Sequence, residues 1–175
     1  MKYAFLLFLT FLLLHSCSSV KVNYDYEKEI DFSNYATYNY FAEMHSGLSQ
    51  LDEKRLFHVL DSVLANRGYR LDEEPSFLIN IKSEVYQNSP SNSVGVGVGG
   101  TGGNVGGGVS VGIPIGASSL KRNILIDFVD TDRNALIWQA NTTSNYKEKT
   151  TPLSREQVLR KIVIKALSKF PPESK

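Results

Sequence analysis

SREQVLRKIVIKALSKFPP, residues 154–172, is the stretch that decides the fold. Val158, Leu159, Ile162, Val163, Ala166, Leu167 and Phe170 return at three- and four-residue steps, so they line one broad face of a helix. Ser154 and Gln157 have the spacing of a capping box, Leu153 can staple onto Val158, and Pro171 and Pro172 stop the helix. A helix with one apolar face must bury it, and the residues upstream supply the covering layer.

Ile124, Ile126 and Phe128 alternate with Asn123 and Asp127, the period of a strand with one wet face. Asp130 to Asn134 supply turn chemistry, and Leu136-Ile137-Trp138 starts a return strand that completes a hairpin. Phe77, Ile79, Ile81 and Val85 alternate with Asn80, Lys82 and Glu84 in a further strand. Val20, Val22, Tyr24 and Tyr26 form another, and the Tyr- and Thr-rich run from Tyr35 to Phe41 one more. Before Gly68, which suits a left-handed helix cap, Leu56, Val59, Leu60, Val63 and Leu64 mark a first helix that Ser49 can cap, with Asp52 three residues on. The expectation is an α+β fold, an antiparallel or mixed sheet of four to six strands with two helices packed on one face. The alternating strands leave its other face to solvent.

Residues 94–116 hold eleven of the thirteen glycines. Val94, Val96 and Val98 alternate with glycine, and Val109, Val111, Ile113 and Ile115 repeat the period after Gly106 to Gly108. Two such arms around Thr101-Gly102-Gly103-Asn104 can form a hairpin, whereas glycine's entropy favours a flexible loop; both readings stand. Flexible tracts are usually polar, and this one carries Val and Ile, so Val96, Val98, Val109, Val111 and Ile113 are the candidate interaction surface. Gly97, Gly99 and Gly102 match a dinucleotide fingerprint, but more glycine follows where that motif needs a helix.

At the other end, Lys2 precedes an apolar run from Ala4 to Leu14, eleven residues broken only by Thr10. That is the length of a signal segment and short of the roughly 20 residues of a spanning helix. Leu14-His15-Ser16-Cys17 resembles the lipobox of bacterial lipoproteins, which implies cleavage between Ser16 and Cys17 and lipid on the Cys17 thiol. The expected organisation is a signal peptide over 1–16, a tether over 17–19, one domain over 20–172 with a glycine-rich insertion at 94–119, and a tail at 173–175. Cys17 is the one cysteine, so the domain has no disulfide and no cysteine chemistry. Ser18 and Ser19 follow it with no Asp, which by resemblance to lipoprotein sorting signals suits the outer membrane, facing the periplasm. Without residues 1–16 the chain carries 18 basic and 18 acidic side chains, a balance that argues against nucleic acid.

Catalytic residues are not expected. His45 and His58 stand alone, no G-x-S-x-G elbow is present, and Glu73-Glu74 precede Pro75 in a loop. Asp127, Asp130 and Asp132 are the tightest acidic group; Asp130 and Asp132 could reach one cation but are read more economically as turn residues, so neither metal nor cofactor is expected.

The chain resembles the domain of unknown function 4136 group of bacterial envelope lipoproteins. The likeness rests on Asp31-Phe32 followed by Tyr35, Thr37, Tyr38 and Tyr40, and on a helix bearing Arg55 and ending at Gly68-Tyr69. The glycine-rich insertion, the Leu125 to Asp130 strand, Leu136-Ile137-Trp138 and Phe170-Pro171-Pro172 complete it, with Tyr40 where such proteins often carry Trp. The resemblance implies no catalytic residues. The functional expectation is a non-enzymatic interaction or structural module of the cell envelope, held to the membrane by its N-terminal lipid and docking on an envelope protein. The alternative is a carrier for a small apolar or lipid-like ligand held between sheet and helices or along the Tyr-rich edge. Oligomeric state is left open.

Overall fold

The computed structural model describes residues 20–88, 93–95, 112–114 and 119–173. In chain order the elements are β1 (Lys21–Tyr26), β2 (Thr37–Tyr40), α1 (Gln50–Ala65), β3 (Arg70–Leu71) and β4 (Phe77–Asn88). Then come β5 (Ser93–Gly95), β6 (Gly112–Pro114), β7 (Ser119–Asp130), β8 (Ala135–Asn145) and α2 (Pro152–Ala166). Six strands form one mixed sheet in the order β1-β8-β7-β4-β2-β3. β1, β8, β7 and β4 are antiparallel neighbours, while β4, β2 and β3 run parallel. The strand order needs the β2-to-β4 connection to cross over, and α1 is that crossover.

The period-two pattern sets the two faces. Phe77, Ile79 and Ile81 of β4 and Ile124, Ile126 and Phe128 of β7 lie fully buried on the helix side. On the open side, hydrogen-bonding residues line up across the sheet, as in the row Asp25, Gln139, Asp127, Asn80. In β8 the alternation breaks. Phe128 pairs with Trp138 but Val129 pairs with Leu136, so Ile137 is surplus to the register. The bulge turns both Ile137 and Trp138 into the core.

Both helices cross this face in the same direction. Their starts meet where Arg155 Nη1 reaches Asp52 Oδ2 at 3.0 Å, and their ends meet where Arg67 Nη1 donates to the Leu167 carbonyl at 2.5 Å and to that of Phe170. Phe170 packs among Phe32, Tyr69, Phe77, Phe128 and Trp138, closing that end with rings. α2 begins earlier than the sequence pattern suggests. Thr151, not Ser154, is its cap, and the Ser154 amide donates to Thr151 Oγ1 at 3.2 Å. Pro152 explains the shift, since proline is preorganised for a first helical position and has no N–H to satisfy. α1 starts as expected, with the Asp52 amide donating to Ser49 Oγ at 3.3 Å. It ends with the Tyr69 amide bonded to the Leu64 carbonyl at 3.1 Å and Gly68 at φ +89°.

Past β2, the edge of β4 is covered by a loop rather than a strand. The Ser83 amide donates to the Ser46 carbonyl at 2.7 Å, satisfying an edge group that would otherwise face solvent. Gly47 sits at φ +70°, and a Cβ there would overlap the backbone carbonyl oxygen of Ser83. Gly68 meets nothing within 4 Å. Gly47→Ala is therefore expected to cost about 3 kcal/mol, strain plus overlap, and Gly68→Ala about 1 kcal/mol, strain alone. Urea unfolding of the two variants measures the difference; equal losses would mean the Ser46–Ser83 approach does not hold the loop.

Candidate functional site

Ser16 and Cys17 lie outside the described residues, as do Val96, Val98, Val109 and Val111 of the glycine tract. Ile113 is in β6, whose backbone pairs antiparallel with β5, Val94 opposite Ile113. β7 starts at Ser119, so the main sheet holds the last residue of the expected insertion. Before the tract, β4 and β7 pair from Phe77–Asp130 to Asn88–Ser119. Burial along β4 alternates as far as Ser83 and then stops, and Glu84 to Asn88 are all exposed. The ribbon thus runs on beyond the core, with Val85 and Tyr86 on opposite faces, 44% and 43% exposed.

The acidic and aromatic candidates are bound into the fold. The Tyr35 hydroxyl donates to Asp130 Oδ2 at 2.5 Å, and Arg133 donates from Nε to the same oxygen at 2.9 Å and from Nη2 to Tyr35 Oη at 2.7 Å. The Arg133 amide donates to Asp130 Oδ1 at 2.8 Å, closing the turn expected here. Burial pushes the Asp130 carboxyl up, but the Tyr35 and Arg133 hydrogen bonds together hold it below its ordinary value. Asp127 accepts from Gln139 Nε2 at 2.8 Å, and Asp132 is exposed. Tyr38 and Tyr40 both donate to Asp61 Oδ1, at 2.9 and 2.7 Å, and Tyr40 stacks on Phe57 at 4.3 Å. Burial first, then the Asp61 acceptor and its charge, push both phenols up. These tyrosines fasten β2 to α1. His45, His58, Glu73 and Glu74 are exposed, and among the described residues no three metal-capable side chains cluster.

The sequence pattern did not reveal the arrangement where the helices begin. Asp52, 3% exposed, faces three guanidinium groups: Arg55 at 2.8 Å, Arg155 at 3.0 Å and Arg122 at 3.6 Å. Arg122 lies under the Tyr146 ring, 4.1 Å from its centroid, and its buried Nε has no hydrogen-bond partner among the described residues. A recess of about 390 Å³ opens over this group, floored by Val158, Leu159 and Ile162 and rimmed by Lys147. The signal was in the sequence: Arg122 is in phase with Ile124 and Ile126, and Asp52 with Leu56 and Val59, so both charges sit at inward positions. At the opposite end a wider groove of about 840 Å³ runs along Ile30 to Tyr35, Tyr69 and Pro171-Pro172. Among the described residues no helix is long and apolar enough to cross a membrane.

A mixed six-stranded sheet with two parallel helices on one face defines a small α+β domain. A family model described as "Domain of unknown function (DUF4136)" matches residues 22–172, and the chain belongs to that family. No curated protein matches it. Among solved structures it is similar to a PDZ domain protein from Parabacteroides distasonis ATCC 8503, at 13% identity and TM-score 0.55. That alignment covers 90% of this chain but 37% of the other, so this chain spans little more than a third of that protein's length. It is also similar to the PelC dodecamer chain from Paraburkholderia phytofirmans, at 10% identity and TM-score 0.50, covering 86% of this chain and 96% of that one. At these identities the likeness is one of fold.

Asp130→Asn is expected to lower stability near neutral pH by about 1–2 kcal/mol, at the low end for a buried charge because Arg133 is largely in solvent. A carboxyl held below its ordinary value stabilises the fold above about pH 4 and ceases to as pH falls through its folded value. The gap between wild type and variant should therefore narrow on acidification, read by urea titrations across pH; a constant gap would remove the charge from the account.

Proposed function

We propose that this chain is a non-enzymatic interaction module of the bacterial envelope. It is tethered by lipid on Cys17 to the outer membrane, facing the periplasm, and docks through the end of the β4–β7 ribbon and the glycine-rich segment that follows. The observation that carries this reading is the ribbon itself. Residues 84–88 and 119–123 stay paired past Ser83, the last buried position of β4, and every residue of the β4 arm is exposed there, Val85 and Tyr86 included. Paired strands with apolar side chains on both faces, and no layer over them among the described residues, are a surface awaiting one. The occupant that fits is a further copy of this chain, since a solved chain of this fold and nearly this length is described as a dodecamer.

The test is cross-linking in native envelopes, comparing wild type with a deletion of 94–116 and with Tyr86→Glu, each verified as folded by its unfolding midpoint. Oligomers captured by wild type and lost from both variants are the expected result. The same monomer-only pattern from all three would overturn the reading, and a heterologous band lost from both variants would keep the docking surface but replace a second copy with another envelope protein.

A further inference from the structure

We propose that the recess over Asp52 binds a phosphate group carried on a short apolar body. The two helices set the field there. α1 and α2 both begin at this end, so their free amides and the positive ends of their dipoles converge on it, an environment that favours anions. Three arginines and Lys147 occupy it against one carboxylate, that of Asp52. Of the nearby acids, Glu53 accepts from Ser46 and Glu156 faces Arg160, while Glu148, whose backbone carbonyl accepts from Arg155, is exposed and does not line the recess. Arg55 and Arg155 share the carboxylate through hydrogen bonds, while Arg122 stands off at 3.6 Å with Nε unpartnered, and Tyr146 holds its plane in place.

A largely buried guanidinium with an idle Nε, in a field already positive, is relieved by a ligand bringing negative charge and several acceptor oxygens. A carboxylate would bring one charge. The recess lining, Arg122, Lys147 and Arg155 against Asp52, carries an excess of two, matching a phosphate monoester at about −1.5 to −2. Val158, Leu159 and Ile162 form an apolar floor beside the charges, so the group's carrier is a short hydrocarbon rather than a sugar. Such chemistry has two sources, the headgroup of an anionic phospholipid or a soluble alkyl phosphate. The site shares Arg122 with the ribbon, where it pairs with Val85, while docking is tested at Tyr86 and in the segment beyond.

The experiment is titration calorimetry of the full chain in non-ionic detergent with hexyl phosphate, using hexanol as the uncharged control. Saturable binding of hexyl phosphate and not hexanol is expected, weakened about tenfold by Arg122→Gln and several-fold by Lys147→Glu. Lys147 is exposed and far from the packed core, so K147E decides the matter if R122Q does not fold. Competition by micelles doped with phosphatidic acid would assign the site to a lipid headgroup, and binding without that competition would assign it to a soluble phosphate ester. Absent binding, or an affinity that folded variants leave unchanged, would overturn the proposal.

Discussion

The parallel alignment of the two helices on one sheet face governs how each end of the domain is built. Packed in the same direction, α1 and α2 bring their unsatisfied carbonyls together at one end and their unsatisfied amides together at the other. The carbonyl end is closed in the ordinary way. Arg67 supplies a cation to the Leu167 and Phe170 carbonyls, and the ring of Phe170 fills the space between sheet and helices. The amide end has Asp52 in the first turn of α1, the right sign for a helix start, but the three arginines around it reverse the local balance.

Between these ends the interior is packed solid. Phe77, Phe128, Trp138 and Phe170 contact one another in tilted and edge-on pairs with centroids 4.7–6.2 Å apart, and each is essentially buried. Trp138 keeps its place although its Nε1 has no partner, because the packing of a fully buried indole outweighs one missing hydrogen bond. Two recesses lie at the two ends of this layer.

Most of the architecture was legible in the sequence because it depends on local periodicity. The alternation at Phe77–Ile81 and Ile124–Phe128, and the helical faces at Leu56–Leu64 and Leu159–Ala166, each declared which side faced the core, although the expected helix up to Phe170 ends at Ala166 and gives way to a 3-10 turn. Elements that depend on partners were less visible. β3 is two residues long and is a strand only because β2 lies beside it, and the loop at Ser46–Gly47 is ordered by the free edge of β4. The bulge that buries both Ile137 and Trp138 violates the alternation that identifies a strand, so no pattern of that kind could announce it.

The sequence by itself determined the elements, their inward faces, one capping serine, one terminating glycine and a sheet with one open side, since these follow from side-chain spacing and backbone chemistry within a few residues. Only the tertiary structure decided the strand order, the parallel run of the helices and the meeting of Asp52 with Arg122 and Arg155. Those residues are 70 and 103 positions from Asp52; their phase marks Asp52 and Arg122 as inward, but nothing local says that the two charges will meet. The physical reason is that charge–charge and packing energies depend on distance in space, which the chain sets only when the sheet closes under its helices.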